Sequence, residues 1–133
     1  MVKVDISGDS RYPADRKTIK KAVIDALLRS KIDNLDCEVS VFIVGGRKMR
    51  ELAKKYLGED SIHEVLAFAQ EETSLDTSKG FINSPGDVLV LGDVVLCWPQ
   101  LIVEASRCDV MVGEELYALI SHGVEHLLGK HHE

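Results

Sequence analysis

Val2, Val4 and Ile6 alternate with polar neighbours at the start of the chain, which predicts a strand with one buried face. Pro13 and Asp15 then mark a helix start. Ile19, Ala22, Val23, Ala26 and Leu27 recur at helical spacing, so a helix over about 14–30 packs one apolar stripe. Asn34-Leu35-Asp36 reads as a turn. Val39, Val41 and Ile43 alternate along a second strand of about 37–44, apolar enough to be central, and Gly45-Gly46 break it. A helix over about 47–57 follows, with Met49, Leu52, Ala53 and Tyr56 inward and Gly58 as its cap.

The run from His63 to Gln70 reads as a third strand. Residues 71–86 are polar, contain Gly80, Pro85 and Gly86, and form a long loop of the kind that often carries function. An apolar β run over 87–97 is interrupted at Gly92-Asp93. Pro99 opens a helix to about Arg107. A last helix over about 113–128 buries Leu116, Leu119, Ile120, Gly123 and Leu127. The order β-α-β-α-β-β-α-α predicts an α+β fold, a mixed sheet of about four strands with helices packed on it. No repeat or linker divides the chain, so residues 1–133 are expected to form one domain.

Composition narrows the function classes. The 133 residues are 45% hydrophobic and 29% charged, as in soluble globular proteins. No apolar stretch is long enough for a membrane span, and the N-terminus lacks the pattern of an export signal. Cys37, Cys97 and Cys108 are odd in number and lie in or beside apolar stretches, which predicts buried, reduced thiols in a cytoplasmic protein. A net charge of −6 argues against a broad nucleic-acid surface, though a local basic groove is compatible with it.

The chemistry lies in the last twelve residues, H-G-V-E-H-L-L-G-K-H-H-E. His122 and His126 are four apart, so a helix stacks both imidazoles on one face. Gly129 stands where that helix should stop and can turn the chain back by adopting a left-handed conformation. That turn would bring His132 to the same face, with adjacent His131 a second candidate. Three converging imidazoles without an evident fourth ligand describe an open zinc site. Zinc so held keeps a position for water and lowers the pKa of that water to about 7.

The same run resembles the H-G-x-L-H-L-x-G-Y-D-H signature of the YbeY-type endoribonucleases that mature ribosomal RNA, through His122, Gly123, His126, Leu127, Gly129 and His132. Upstream, M-R-E-L-A-K-K-Y (49–56) is similar to the family's M-x-x-L-N-x-x-Y helix. E-V-L-A-F (64–68) is similar to its D-V-L-S-F strand, and L-G-D-V-V-L-C (91–97) to its L-G-D-I-V-I-C segment. The resemblance implies an α+β fold and one Zn2+ per chain on His122, His126 and His132. It implies cytoplasmic cleavage of single-stranded RNA, in maturation and quality control of the small ribosomal subunit, with ribosomal RNA and possible small-subunit ribosomal proteins as partners rather than DNA or membrane.

The chain departs from that pattern in several places. Lys130 and His131 replace Tyr-Asp, Glu125 replaces an apolar residue, and Ile62, His63 and Glu64 replace Pro-Thr-Asp. Leu57 stands where the family usually has arginine, which removes a planar phosphate clamp. The enzyme reading therefore stands beside a non-catalytic, ribosome-associated one. For the enzyme, His122 and His126 anchor catalysis, and Glu64 and His63, at the start of the third strand, are either candidate bases or a solvated strand end, with Glu64 the catalytic choice. Either a water or the RNA 2′-hydroxyl can be the nucleophile. Asp93 either sits at a bulge for structural reasons or orients a ligand imidazole. Arg47, Arg50 and Lys54 share a helix face that can receive an RNA backbone. Base stacking draws little support from 5% aromatic content. A metzincin-like metalloprotease shares the histidine spacing, but it requires glutamate directly after the first histidine, where Gly123 stands. Glu125 would face another side.

Overall fold

The computed structural model describes residues 1–32, 36–70 and 88–129. The polar loop over 71–86, His131 and His132 lie outside these residues, as does most of the turn expected at Asn34-Leu35-Asp36. The elements follow the expected order: β1 (Val2–Gly8), α1 (Arg16–Arg29), β2 (Cys37–Val44), α2 (Gly46–Leu57), β3 (Val65–Ala69), β4 (Leu89–Cys97), α3 (Trp98–Cys108) and α4 (Val112–Leu127). The sheet order is β1-β2-β4-β3. β1 and β4 both run parallel to β2, and β3 runs antiparallel to β4. The fold is thus α+β, with a four-stranded mixed sheet and four helices.

The two apolar periods meet in one main core. Cys37, Val39, Val41 and Ile43 on β2 turn the same way, and Ile19, Ala22, Val23, Ala26 and Leu27 of α1 pack in the same core. Leu116, Leu119, Ile120, Val124 and Leu127 of α4 complete it. A smaller cluster, Met49, Ala53, Leu66, Val95 and Cys97, seats α2. α1 and α4 therefore share one face of the sheet, and α2 lies on the other.

β4 continues through the interruption at Gly92-Asp93 as one strand. Glu38 pairs with Val90 and Val39 with Gly92, so Leu91 is an extra residue, a β-bulge. The bulge resets the alternation, so that Leu89 and Leu91 before it and Val94 and Leu96 after it all enter the main core. Gly92 has φ +137°, and a Cβ there would meet the carbonyl oxygen of Phe68 at 2.2 Å. Only glycine allows this bulge to lie against β3. The sequence interruption at Gly92-Asp93 is this local feature.

Three boundaries or burials differ from expectation. β3 begins at Val65, so His63 and Glu64 precede the strand, although the Glu64 carbonyl still accepts from the Cys97 N–H at 2.9 Å. Tyr56 is exposed rather than inward; its ring leans on Phe68, with centroids 5.1 Å apart. Cys37 and Cys97 are buried free thiols as expected, but Cys108 is exposed, because it ends α3 beyond the last residue that the helix buries, Ala105. Among the described residues no helix is long and apolar enough to cross a membrane.

Candidate metal and catalytic cleft

α4 carries the histidines because its apolar stripe fixes its rotation on the sheet. Gly123 sets the distance. A Cβ there would stand 2.7 Å from Val94 Cγ1 and 3.4 Å from Val65 Cγ2, so the helix backbone rests directly on β3 and β4. That contact brings the next face of α4, with His122 and His126, over the start of β3. The glutamate that a metzincin needs at this position has no room, and Glu125 points instead to α1, 3.5 Å from Arg29.

His122 Nε2 and His126 Nε2 are 2.9 Å apart, with ring centroids 4.4 Å apart and the planes at 69°. One nitrogen donates to the other. Two nitrogens bound to a tetrahedral zinc at about 2.0–2.1 Å would stand about 3.3 Å apart. Small rotations of the imidazoles therefore suffice, and the pair fits the ion. α4 ends at Leu127, and Gly129 has φ +78°, the left-handed turn expected after the helix, with its N–H donating to the His126 carbonyl. Among the described residues, no three His, Cys, Asp or Glu side chains gather around one point; His132, the expected third ligand, lies outside them.

The histidine pair opens onto a cleft of about 600 Å³ that Leu57, His63, Glu64, Val65 and Leu119 also line. Glu64 is half-buried here. Burial first, then the charges of Glu104 and Glu115, hold its carboxyl above the usual carboxylate range, against smaller opposing effects of Arg107 and His122. A carboxylate so placed accepts a proton more readily than one in water. His63 is fixed by Glu59, whose Oε1 lies 2.8 Å from Nε2, and by Ser61 Oγ at 3.3 Å.

Leu57 faces this cleft at the end of α2. Arg47, Arg50 and Lys54 line an adjoining groove of about 520 Å³ together with Asp60 and Ile62. Arg50 pairs with Asp60 at 3.7 Å. Positions 47, 50, 54 and 57 share one helix face, so the basic row runs along α2 toward the histidines and ends on an apolar side chain. Lys55 lies apart, its Nζ 5.1 Å from the centroid of the Tyr56 ring.

Asp93 does not join the site. It lines a groove with Tyr56, Phe68 and Val95 on the α2 face, across the sheet from Val94 and Gly123, so it does not orient the imidazole of His122 or His126. Burial against that groove raises its pKa. The sequence reading missed Glu59 and Ser61, for which the E-x-S-x-H spacing into a turn was the available signal. It also missed the gathering of Phe42, Tyr56 and Phe68 in the Asp93 groove, which overall composition conceals.

An α+β domain that presents paired helical histidines beside a carboxyl in an open cleft has the frame of a hydrolase. The family described as Endoribonuclease YbeY matches residues 6–133. The chain belongs to that family. It is 38% identical over 122 residues to Endoribonuclease YbeY of Syntrophomonas wolfei, covering 92% of this chain and 77% of the relative. It is 32% identical over 130 residues to Endoribonuclease YbeY of Salinispora tropica, covering 97% and 82%. Its fold is similar to the solution structure of TM1509 from Thermotoga maritima, with a TM-score of 0.57, 21% identity and coverage of 98% of this chain and 75% of that one.

Proposed function

We propose that the chain is a zinc-dependent endoribonuclease of single-stranded RNA, with His122, His126 and His132 as the metal ligands and Glu64 as the base. In this reading residues 1–133 form one hydrolase domain that acts in the cytoplasm on small-subunit ribosomal RNA, in its maturation and in ribosome quality control. Contacts with small-subunit ribosomal proteins accompany that role. The observation that carries it is the facing Nε2 pair of His122 and His126, 2.9 Å apart in a cleft shared with Glu64, in a member of the Endoribonuclease YbeY family.

Bound zinc would polarise the phosphoryl group and activate the attacking oxygen. The residues of the chain do the rest. Glu64, with its raised affinity for a proton, takes the proton of the nucleophile. Arg47, Arg50 and Lys54 hold the RNA backbone along α2. Leu119 and Leu57 keep part of the cleft wall apolar, which strengthens electrostatic interactions inside it.

Leu57 also favours a second reading, a non-catalytic RNA-binding member. Its position in the cleft means that no guanidinium holds phosphate there. The test compares zinc-loaded wild type with His126→Ala on labelled single-stranded RNA, with duplex RNA and a peptide as controls. The enzyme reading expects cleavage of the single strand alone, lost in the variant. RNA binding without cleavage would favour the second reading, and equal cleavage by both proteins would point to a contaminating nuclease.

A further inference from the structure

Resting on the ribonuclease reading, we propose that His63, held by Glu59, donates the proton to the leaving sugar oxygen when RNA is cleaved in this cleft. His63 lines the same cleft as His122, His126 and Glu64, but it comes from the turn before β3, not from α4. Glu59 Oε1 and Ser61 Oγ engage its Nε2 at 2.8 and 3.3 Å. Among the described residues Nδ1 has no hydrogen-bond partner, so Nδ1 is the nitrogen left for substrate. A carboxylate on one ring nitrogen fixes the orientation of the imidazole and leaves the other nitrogen to face the substrate. The side chain of His63 is 33% exposed, within reach of both RNA and solvent.

The two residues then divide the proton work. The nucleophile oxygen adds to phosphorus while Glu64 accepts its proton. The bond between phosphorus and the leaving sugar oxygen breaks, its electron pair staying on that oxygen. His63, as the imidazolium, passes its Nδ1 proton to it, giving a free hydroxyl and a neutral imidazole. Solvent returns a proton to His63 and removes one from Glu64, so the cycle closes with no other reactant. Phosphate cleavage with an alkoxide leaving group needs such a donor, whereas a phenolate leaving group does not. Glu59 is a positioning residue: its carboxylate engages His63 and accepts from Ser61 Oγ at 3.4 Å, and it does not line the cleft.

That difference provides the test. Wild type, His63→Gln and Glu59→Gln are loaded with zinc and assayed on single-stranded RNA and on bis(p-nitrophenyl) phosphate. His63→Gln should lose about 100-fold on RNA and change by no more than about twofold on the aryl ester. Glu59→Gln, which keeps a hydrogen-bond acceptor but loses the charge, should show the same selectivity with about a tenfold loss on RNA. Equal losses on both substrates would mean a structural role and overturn the assignment, as would an RNA rate for His63→Gln equal to that of wild type. A wild type inactive on RNA would overturn the ribonuclease reading and this assignment together. An active wild type with an unaffected His63→Gln overturns this assignment alone.

Discussion

Gly123→Ala tests whether the approach of α4 to the sheet positions the histidines. Helix propensity alone would favour alanine by about 0.8–1.0 kcal/mol. The structure opposes it. The added Cβ would lie 2.7 Å from Val94 Cγ1 and 3.3 Å from its Cγ2, against an optimum of about 3.5–4.0 Å. Val94 is fully buried, β-branched and therefore stiff, on a strand paired on both sides. It cannot yield as the tip of a long side chain would, so α4 must lift by about 1 Å. Overpacking of this kind costs about 1–3 kcal/mol. Set against the propensity gain, the net loss should be up to about 2 kcal/mol. Urea unfolding of both proteins measures it as a fall in midpoint at unchanged slope. The double variant Val94→Ala/Gly123→Ala should be less destabilised than the sum of the singles by about 1 kcal/mol. A Gly123→Ala protein more stable than wild type by about 1 kcal/mol would show propensity acting alone and refute the close contact.

Four further outcomes follow from the same geometry. Gly92→Ala should cost about 3 kcal/mol or more, since its Cβ would strike the Phe68 carbonyl oxygen at 2.2 Å at φ +137°; a thermal melt near that of wild type would contradict the bulge. Gly129→Val should lower zinc affinity more than stability, because a β-branched residue resists the φ of +78° that turns the chain toward His132; calorimetric zinc titration beside urea unfolding separates the two. The raised pKa of Glu64 means that the folded chain binds this proton more tightly than the unfolded one. The stability this group contributes is present below the ordinary carboxylate value and is lost as pH rises through the raised folded value, and Glu64→Gln should melt higher than wild type at pH 7, with the advantage gone by about pH 4; equal melting temperatures at pH 7 would count against the buried carboxyl. Leu57→Arg, which extends the row of Arg47, Arg50 and Lys54 into the cleft, should tighten single-stranded RNA binding and steepen its salt dependence by about one phosphate contact; an unchanged salt slope in a binding titration would show that the side chain does not reach phosphate.

Most of the scaffold could be read from residue periodicity. The stripe Ile19, Ala22, Val23, Ala26, Leu27 is the buried face of α1, and Gly58, at φ +69°, caps α2 as its position predicts. Local pattern reports such features because burial and capping act within a few residues. Long-range consequences were harder to see. Nothing in L-G-D-V-V-L-C says that Leu91 is skipped by its partner strand, since a bulge is defined by pairing with β2. The distance across which Asp93 fails to reach the histidines follows from the phase of β4 after that bulge. For the site itself, the spacing of His122 and His126 was sufficient to place them together. The environment of Glu64 was not legible, because Glu104 and Glu115 reach it from α3 and α4. Tyr56 misled because helical spacing marks a face, not the depth to which a neighbouring strand covers it.

The most direct test of the central claim is an activity titration. Chelator-stripped protein receives zinc in substoichiometric steps while single-stranded RNA cleavage is followed. A three-histidine site predicts that the rate rises in proportion to zinc and breaks at about one ion per chain, with no rise in a His122→Ala/His126→Ala variant purified in parallel. Cleavage by the stripped protein at the full rate, or an identical titration curve in the double variant, would contradict it.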